Sequence, residues 1–211
     1  YADNAVALSP SDPEVYIRRA SVRKMMGNNT GAVDDLILAL STGKDNPKVL
    51  HELVEMGNAD YSAVITGLSN AIRQAPKVGM YYYIRGIIAE AHFNYVSALD
   101  DFKKIANENL YNYHGIYKEI ASCQYALGEY EEAIYNINYA INTSDENSEY
   151  YVIKANIQNK VKELFMLFVS LILVGFVALF DVDTFREAIP AESAMDNFVD
   201  NILLPIGKVG S

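Results

Sequence analysis

Tryptophan is absent from the 211 residues, and cysteine occurs once, at Cys123. A single thiol excludes an internal disulfide framework and any multi-cysteine metal site. Flanked by Ile120, Ala121 and Tyr125 at helical spacing, it reads as a small core hydrophobe and not as a nucleophile. Clustered positive charge is also missing. Lys and Arg number 17 against 27 Asp and Glu, for a formal net charge of −10. A partner made of nucleic acid would require the opposite balance, because phosphates are neutralised by grouped Lys and Arg. The nearest approach, Arg18-Arg19 with Arg23-Lys24, reads as a solvated helix face.

Signatures of chemistry are lacking as well. No phosphate-binding glycine loop, nucleophile elbow or zinc-helix pattern occurs. His51, His92 and His114 stand apart, with no second ligand at metal-binding spacing. No catalytic residue, cofactor or metal is expected, and the chain does not read as an enzyme; activity would have to come from a domain preceding it. The basic, apolar and small-residue succession of a secretory signal does not open the chain. Residues 1–12 read instead as the end of a preceding repeat.

What is present is a period. With 51% hydrophobic and 21% charged residues the composition is that of folded protein. Small residues recur at Ala32, Val64, Ala98 and Ala133, spaced 32, 34 and 35. A larger apolar residue stands four later, at Leu36, Leu68, Phe102 and Ile137. A third column, Ala39, Ala71, Ile105 and Ala140, keeps step. Ahead of these, Tyr16, Tyr82, Tyr117 and Tyr151 are each followed four residues on by a small residue: Ala20, Gly86, Ala121 and Ala155. Helical spacing puts each such pair on one face. Two antiparallel helices approach closely where small residues meet, and large ones fill beside them. Gly27 and Gly128 stand where a helix must end and reverse, and Pro10, Pro47 and Pro76 fall in the gaps between units.

The clearest unit runs Tyr117, Ile120, Ala121, the turn Leu127-Gly128-Glu129-Tyr130, then Ala133, Ile137 and Ala140. It resembles the tetratricopeptide repeat, which places those residue types in that order over about 34 residues. The resemblance implies an all-α fold, a right-handed superhelix of antiparallel hairpins. Units are expected at 13–46, 45–78, 79–112 and 114–147, with a first helix of a fifth at about 148–162, so that the array occupies 13–163. The second unit departs most, with Glu52 where a small crossing residue belongs and a turn loosened by Gly57-Asn58-Ala59. Acid pairs such as Asp34-Asp35, Asp100-Asp101 and Glu131-Glu132 are expected at the starts of second helices, where the helix dipole favours them.

In that family the concave face receives a partner's peptide or helix. Its inner positions fall here on Ile17, Ser21 and Lys24; Tyr83, Ile87 and Glu90; Lys118, Ser122 and Tyr125; Val152, Asn156 and Asn159. The partner is therefore expected to be a protein. Of the runs Tyr81-Tyr82-Tyr83 and Tyr150-Tyr151, one tyrosine each is expected to face the hairpin core, leaving its neighbours to the groove. One branch of the family grips the C-terminal carboxylate of chaperones with Lys and Asn on these faces. Here the corresponding positions hold Ile17 and Ser21, Met80 and Ile84, and Lys118 with Ser122, so no such clamp is expected.

Leu164 to Phe180 carries no charge. As a helix it would span about 25 Å, just under a hydrocarbon core of about 30 Å. Two readings stand side by side: a membrane span that tethers cytoplasmic repeats, with Lys154, Lys160 and Lys162 on the inner side, or a capping or oligomerisation helix of a soluble cytoplasmic protein. The tail, 181–211, has one amphipathic segment, Ser193 to Leu204, after Pro190.

Overall fold

The computed structural model describes residues 1–43, 46–111, 115–143 and 148–179, with side chains as far as Ile172. Every regular element among them is an α-helix. In order these are α1 (Ala2–Leu8), α2 (Pro13–Met25), α3 (Asn29–Thr42), α4 (Pro47–Ala59), α5 (Tyr61–Gln74), α6 (Gly79–Ala91), α7 (Tyr95–Glu108), α8 (Ile116–Leu127), α9 (Tyr130–Thr143) and α10 (Ser148–Leu179). They fall into two compact units, Tyr1–Ile116 and a second that begins at Tyr117. The tail, with its segment Ser193 to Leu204, and His114 lie outside the described residues.

Helix starts in the first unit are fixed by short polar caps. Asp12, Asn28, Asn46, Asp60 and Asn94 each accept a backbone N–H of the first turn that has no partner within the helix. The column tyrosines join this punctuation to the core. Tyr16 is buried and its hydroxyl donates to the Pro10 carbonyl at 2.8 Å, and Tyr82 does the same to Pro76 at 3.1 Å. An aromatic ring thus fills the hairpin while its polar tip ties down the incoming linker.

The hairpin cores follow the columns. Ala32, Leu36, Val64, Leu68, Ala98, Phe102 and Ile105 are all buried. Contact at the α6–α7 crossing is close at Gly86, where a Cβ would lie 2.5 Å from Phe102 Cε1. In the second hairpin the close approach comes from Gly57, not from the Glu52 position: a Cβ there would lie 2.8 Å from Ile88 Cγ2 of α6. The turn expected to be loose around Gly57-Asn58-Ala59 is tight. Helix α4 runs on to Ala59, and Asp60 alone both ends α4 and caps α5 through the Ala63 N–H.

Elsewhere reversal uses a left-handed residue, Gly27 at φ 75° and Gly128 at φ 82°. The α6–α7 turn has Phe93 at φ 60° in that role, with its ring 78% exposed. A side chain there is strained by its own Cβ. Phe93→Gly is therefore expected to raise stability by about 0.5–1 kcal/mol, read as a higher urea midpoint at unchanged slope.

In the second unit, Ala121, Ala133, Ile137, Ala140, Tyr150 and Ile157 form one core. Here the structure departs from the repeat. The first helix of the fifth hairpin does not stop near 162: α10 continues as one helix through Leu179. The chain does not turn back there: Asn159, two residues before Val161, lies within α10, and no glycine or asparagine follows it until Gly175. Among the described residues no second helix covers the column positions: Tyr151 and Ala155 are exposed, and Tyr150 with Ile157 faces inward instead. From Leu164 to Ile172, Leu164, Met166, Leu167, Phe168, Leu171 and Ile172 are exposed. Among the described residues no helix is long and apolar enough to cross a membrane; Phe180, the end of the apolar run, lies outside them.

Candidate functional site

Arginine and aspartate join the two helices of alternate hairpins in the first unit. Arg19 of α2 donates from Nη2 to Oδ1 of Asp35 on α3 at 2.6 Å and from Nε to Oδ2 at 3.0 Å, and Arg23 Nη1 lies 2.9 Å from the same Oδ2. Asp35 is fully buried. Two units on, Arg85 of α6 makes the same two-pronged bond to Asp101 of α7, at 2.8 and 2.6 Å. Burial pushes the Asp101 carboxyl up from the usual carboxylate range, and the Arg85 bonds pull against it. The expected solvated face of Arg18-Arg19 and Arg23-Lys24 is thus half correct: Arg18 and Lys24 are exposed, while Arg19 and Arg23 hold a buried anion. Likewise Asp35 and Asp101 serve these pairs and not a helix N-terminus, since neither is in a first turn. Their neighbours Asp34 and Asp100 are exposed. Glu131 and Glu132 do lie in the first turn of α9.

The expected groove residues divide. Ile17 is 3% exposed and belongs to the core of the first hairpin, because Tyr16, Ile17 and Ala20 together form the buried stripe of α2. Ser21 is exposed and its hydroxyl donates back to the Ile17 carbonyl at 3.1 Å. Lys24 is exposed at the C-terminal turn of α2, where the helix dipole favours a cation. On α6, Tyr83, Ile87 and Glu90 are half-buried, and the Tyr83 ring lies 5.7 Å from that of Tyr111 and 6.3 Å from that of Phe102. The preceding Tyr81 and Tyr82 are both buried, so two tyrosines of the run face the core where one is expected. The second hairpin's counterparts, Val49, Leu53 and Met56, are buried too.

In the second unit Lys118 is half-buried, with Nζ 3.2 Å from Glu119 and 3.3 Å from Glu149. The structure thereby brings α8 to the first turn of α10. Ser122 and Tyr125 are half-buried, the latter's ring 5.9 Å from Tyr130. Val152, Asn156 and Asn159 are exposed on α10. Cys123 is buried. His51 is exposed, and His92, also exposed, stacks on Tyr61 with centroids 4.5 Å apart. Among the described residues no group of three or more His, Cys, Asp or Glu could hold a metal ion.

Glu119 is buried, and burial raises its pKa above the ordinary carboxylate range against the attraction of Lys118. The folded chain therefore keeps a proton that the unfolded chain releases. Stability contributed here is complete below the ordinary carboxylate range and is lost as pH rises through the raised value. Glu119→Gln is expected to flatten that stretch of the stability profile, measured as urea midpoint against pH.

A cleft with no direct sign in the sequence lies between α5, α6 and the start of α7. It holds about 290 Å³ and is lined by Tyr61, Ile65, Arg85, Ala89, Asn94, Ser97, Asp100 and Asp101. The one available clue was the recurrence of Arg19 and Asp35, sixteen residues apart, as Arg85 and Asp101.

No protein-family model matches the chain, and no curated protein matches it in sequence. Solved structures are similar. Yeast Tom70 superposes with a TM-score of 0.52 at 16% identity, covering 100% of this chain and 46% of Tom70, so the chain spans under half of that protein's length. A tetratricopeptide repeat protein from Parabacteroides merdae is 16% identical over 95% of this chain and 77% of its own, with a TM-score of 0.49. PilF of Pseudomonas aeruginosa is 17% identical over 78% and 81%, with a TM-score of 0.44. The small-against-large columns, the hairpin turns and the likeness to Tom70 agree that this chain has the tetratricopeptide-repeat fold.

Proposed function

We propose that the chain is a protein-interaction scaffold that holds a partner's peptide or helix against the inner face of its hairpins. The observation that carries this reading is α6, where Tyr83, Ile87 and Glu90 share one helix face and remain part-open to solvent inside a tetratricopeptide-type hairpin. In the first unit Ser21 and Lys24 extend the proposed surface, with Ile17 beneath it; in the second unit Ser122, Tyr125, Val152 and Asn156 are proposed as a surface by themselves. A photo-crosslinking residue at position 87 is expected to capture a discrete protein that the same residue at Lys103, exposed on α7, does not. Equal capture at both positions would count against the groove.

The ligand is not a chaperone tail. A terminal carboxylate at Lys118 would have to displace Glu119 and Glu149, and Ile17 is closed off in the core. A peptide ending in EEVD is expected to bind more weakly than about 1 mM, on the order of −4 kcal/mol, by fluorescence anisotropy.

For the apolar end of α10 the reading is self-association or capping, not a tether. The exposure of Leu164, Leu167, Phe168 and Leu171 on successive turns leaves a surface that water does not favour. Concentration-dependent dimers in light scattering, lost in Phe168→Lys, are the expected result. Co-flotation of the full chain with lipid vesicles and no self-association would overturn it.

A further inference from the structure

The first and third hairpins share one ion-pair design and differ in one occupant. In the first, Asp35 serves two guanidinium groups. Arg19 holds it from one side, and Arg23, one helical turn on, holds it from the other at 2.9 Å while donating to the Gly31 carbonyl at 2.9 Å. In the third hairpin Arg85 and Asp101 stand where Arg19 and Asp35 do. The place of Arg23 is taken by Ala89, and the carbonyl's counterpart belongs to Ser97. A methyl group there leaves the second guanidinium position open, and it coincides with the cleft of about 290 Å³, which Ala89, Ser97 and Asp101 all line. That volume is at the small end for ligand pockets, suited to one side chain.

The charge around it is also short of one cation. Two arginines meet Asp35 in the first hairpin, but Arg85 alone meets Asp101, and among the described residues it is the one cationic residue lining the cleft. A further Arg85 N–H is occupied by Ser69 Oγ at 2.9 Å, which draws the guanidinium toward α5. Asp100 is exposed and has no cationic partner among the described residues. Tyr61, its ring tilted by 42° against that of His92, forms a wall against which a planar cation can lie.

We propose that this cleft is a receptor for an arginine side chain of a partner protein, with Arg23 of the first hairpin as its built-in copy. The incoming guanidinium takes the free side of Asp101, the Ser97 carbonyl and the Asp100 carboxylate. Arginine suits it better than lysine because the copy is itself a guanidinium, whose Nη1 reaches a carboxylate and a carbonyl at once, and because a planar cation can lie on the Tyr61 ring. The site is independent of the proposed groove. Arg85 and Ala89 lie roughly 100–160° around α6 from Tyr83, Ile87 and Glu90 at about 100° per residue, so either surface can fail without the other.

The test is an NMR titration of the full chain with N-acetyl-arginine methylamide, following the backbone amides of Ala89, Asn94 and Ser97. The neutral citrulline analogue serves as the control. Saturable shifts with the arginine probe are expected, weaker by about tenfold with citrulline and by about three- to tenfold in Asp100→Asn. In Ala89→Arg, which rebuilds the first hairpin's arrangement, the shifts are expected to vanish with the melting temperature kept. Absence of saturation, equal binding of citrulline, or undiminished binding in a folded Ala89→Arg would overturn the proposal. Should Ala89→Arg fail to fold, Asp100→Lys decides: lost binding supports the receptor and unchanged affinity overturns it.

Discussion

Phe102→Ala is expected to lower the stability of the first unit by about 4 kcal/mol, the largest effect of any single truncation in this core. Phe102 is fully buried on α7, and its ring lies against the backbone of α6 at Gly86, which has no side chain to move into the vacated space. A cavity that cannot collapse costs both the lost transfer energy and the lost contacts of its walls. The reciprocal change is informative. Gly86→Ala alone places a methyl group 2.5 Å from the ring and is expected to destabilise as well. The first hairpin solves the same crossing with Ala20 against Leu36, both buried. Phe102→Leu combined with Gly86→Ala transplants that solution and is expected to recover most of the loss of either Gly86→Ala or Phe102→Ala. Urea denaturation of the starting chain, Gly86→Ala, Phe102→Leu and the double variant, with Phe102→Ala beside them, checks this, and simple additivity of Gly86→Ala and Phe102→Leu would show that the crossing is not the coupled pair described here.

The hairpin cores are legible in the sequence because their requirement is local and chemical. A small residue must face a large one at each crossing, so Ala20 with Leu36 and Gly86 with Phe102 reveal themselves by spacing alone. The ion pairs are not legible in that way. Arg19 and Asp35 look like ordinary surface charges on two amphipathic helices, and only the packing of α2 on α3 removes Asp35 from water. The cleft is harder still, since it is marked by what Ala89 lacks in comparison with Arg23. Pattern also misleads at α10. The columns place Tyr151 and Ala155 inward, but the inward register of a helix depends on the helix that packs back over it. Helix α10 makes no turn near Lys162, no helix among the described residues packs back over it, and Tyr150 takes the buried place. Ile17 fails as a groove residue for a related reason: the buried stripe of α2 is wide enough to include it.

The second large effect is expected at Asp35. Asp35→Ala should lower stability by about 3 kcal/mol, at the lower end for breaking a buried pair because both arginines keep some access to water. The loss comes less from the attraction removed than from two guanidinium groups left facing each other across a dry gap. Arg19 retains Asp3 at 3.1 Å, but that carboxylate is exposed and its pairing is worth little. Replacing the whole cluster by apolar residues, Arg19→Met with Arg23→Met and Asp35→Leu, removes the desolvated charges together and is expected to return to within about 1 kcal/mol of the starting chain. The surface pair Lys48–Glu14, at 3.1 Å between two exposed side chains, is the control, and Glu14→Gln should change stability by less than about 1 kcal/mol. If Asp35→Ala were as mild as Glu14→Gln, the buried carboxylate would not be holding α2 to α3. The same geometry at Asp101 would then lose its meaning as a site that a second arginine completes.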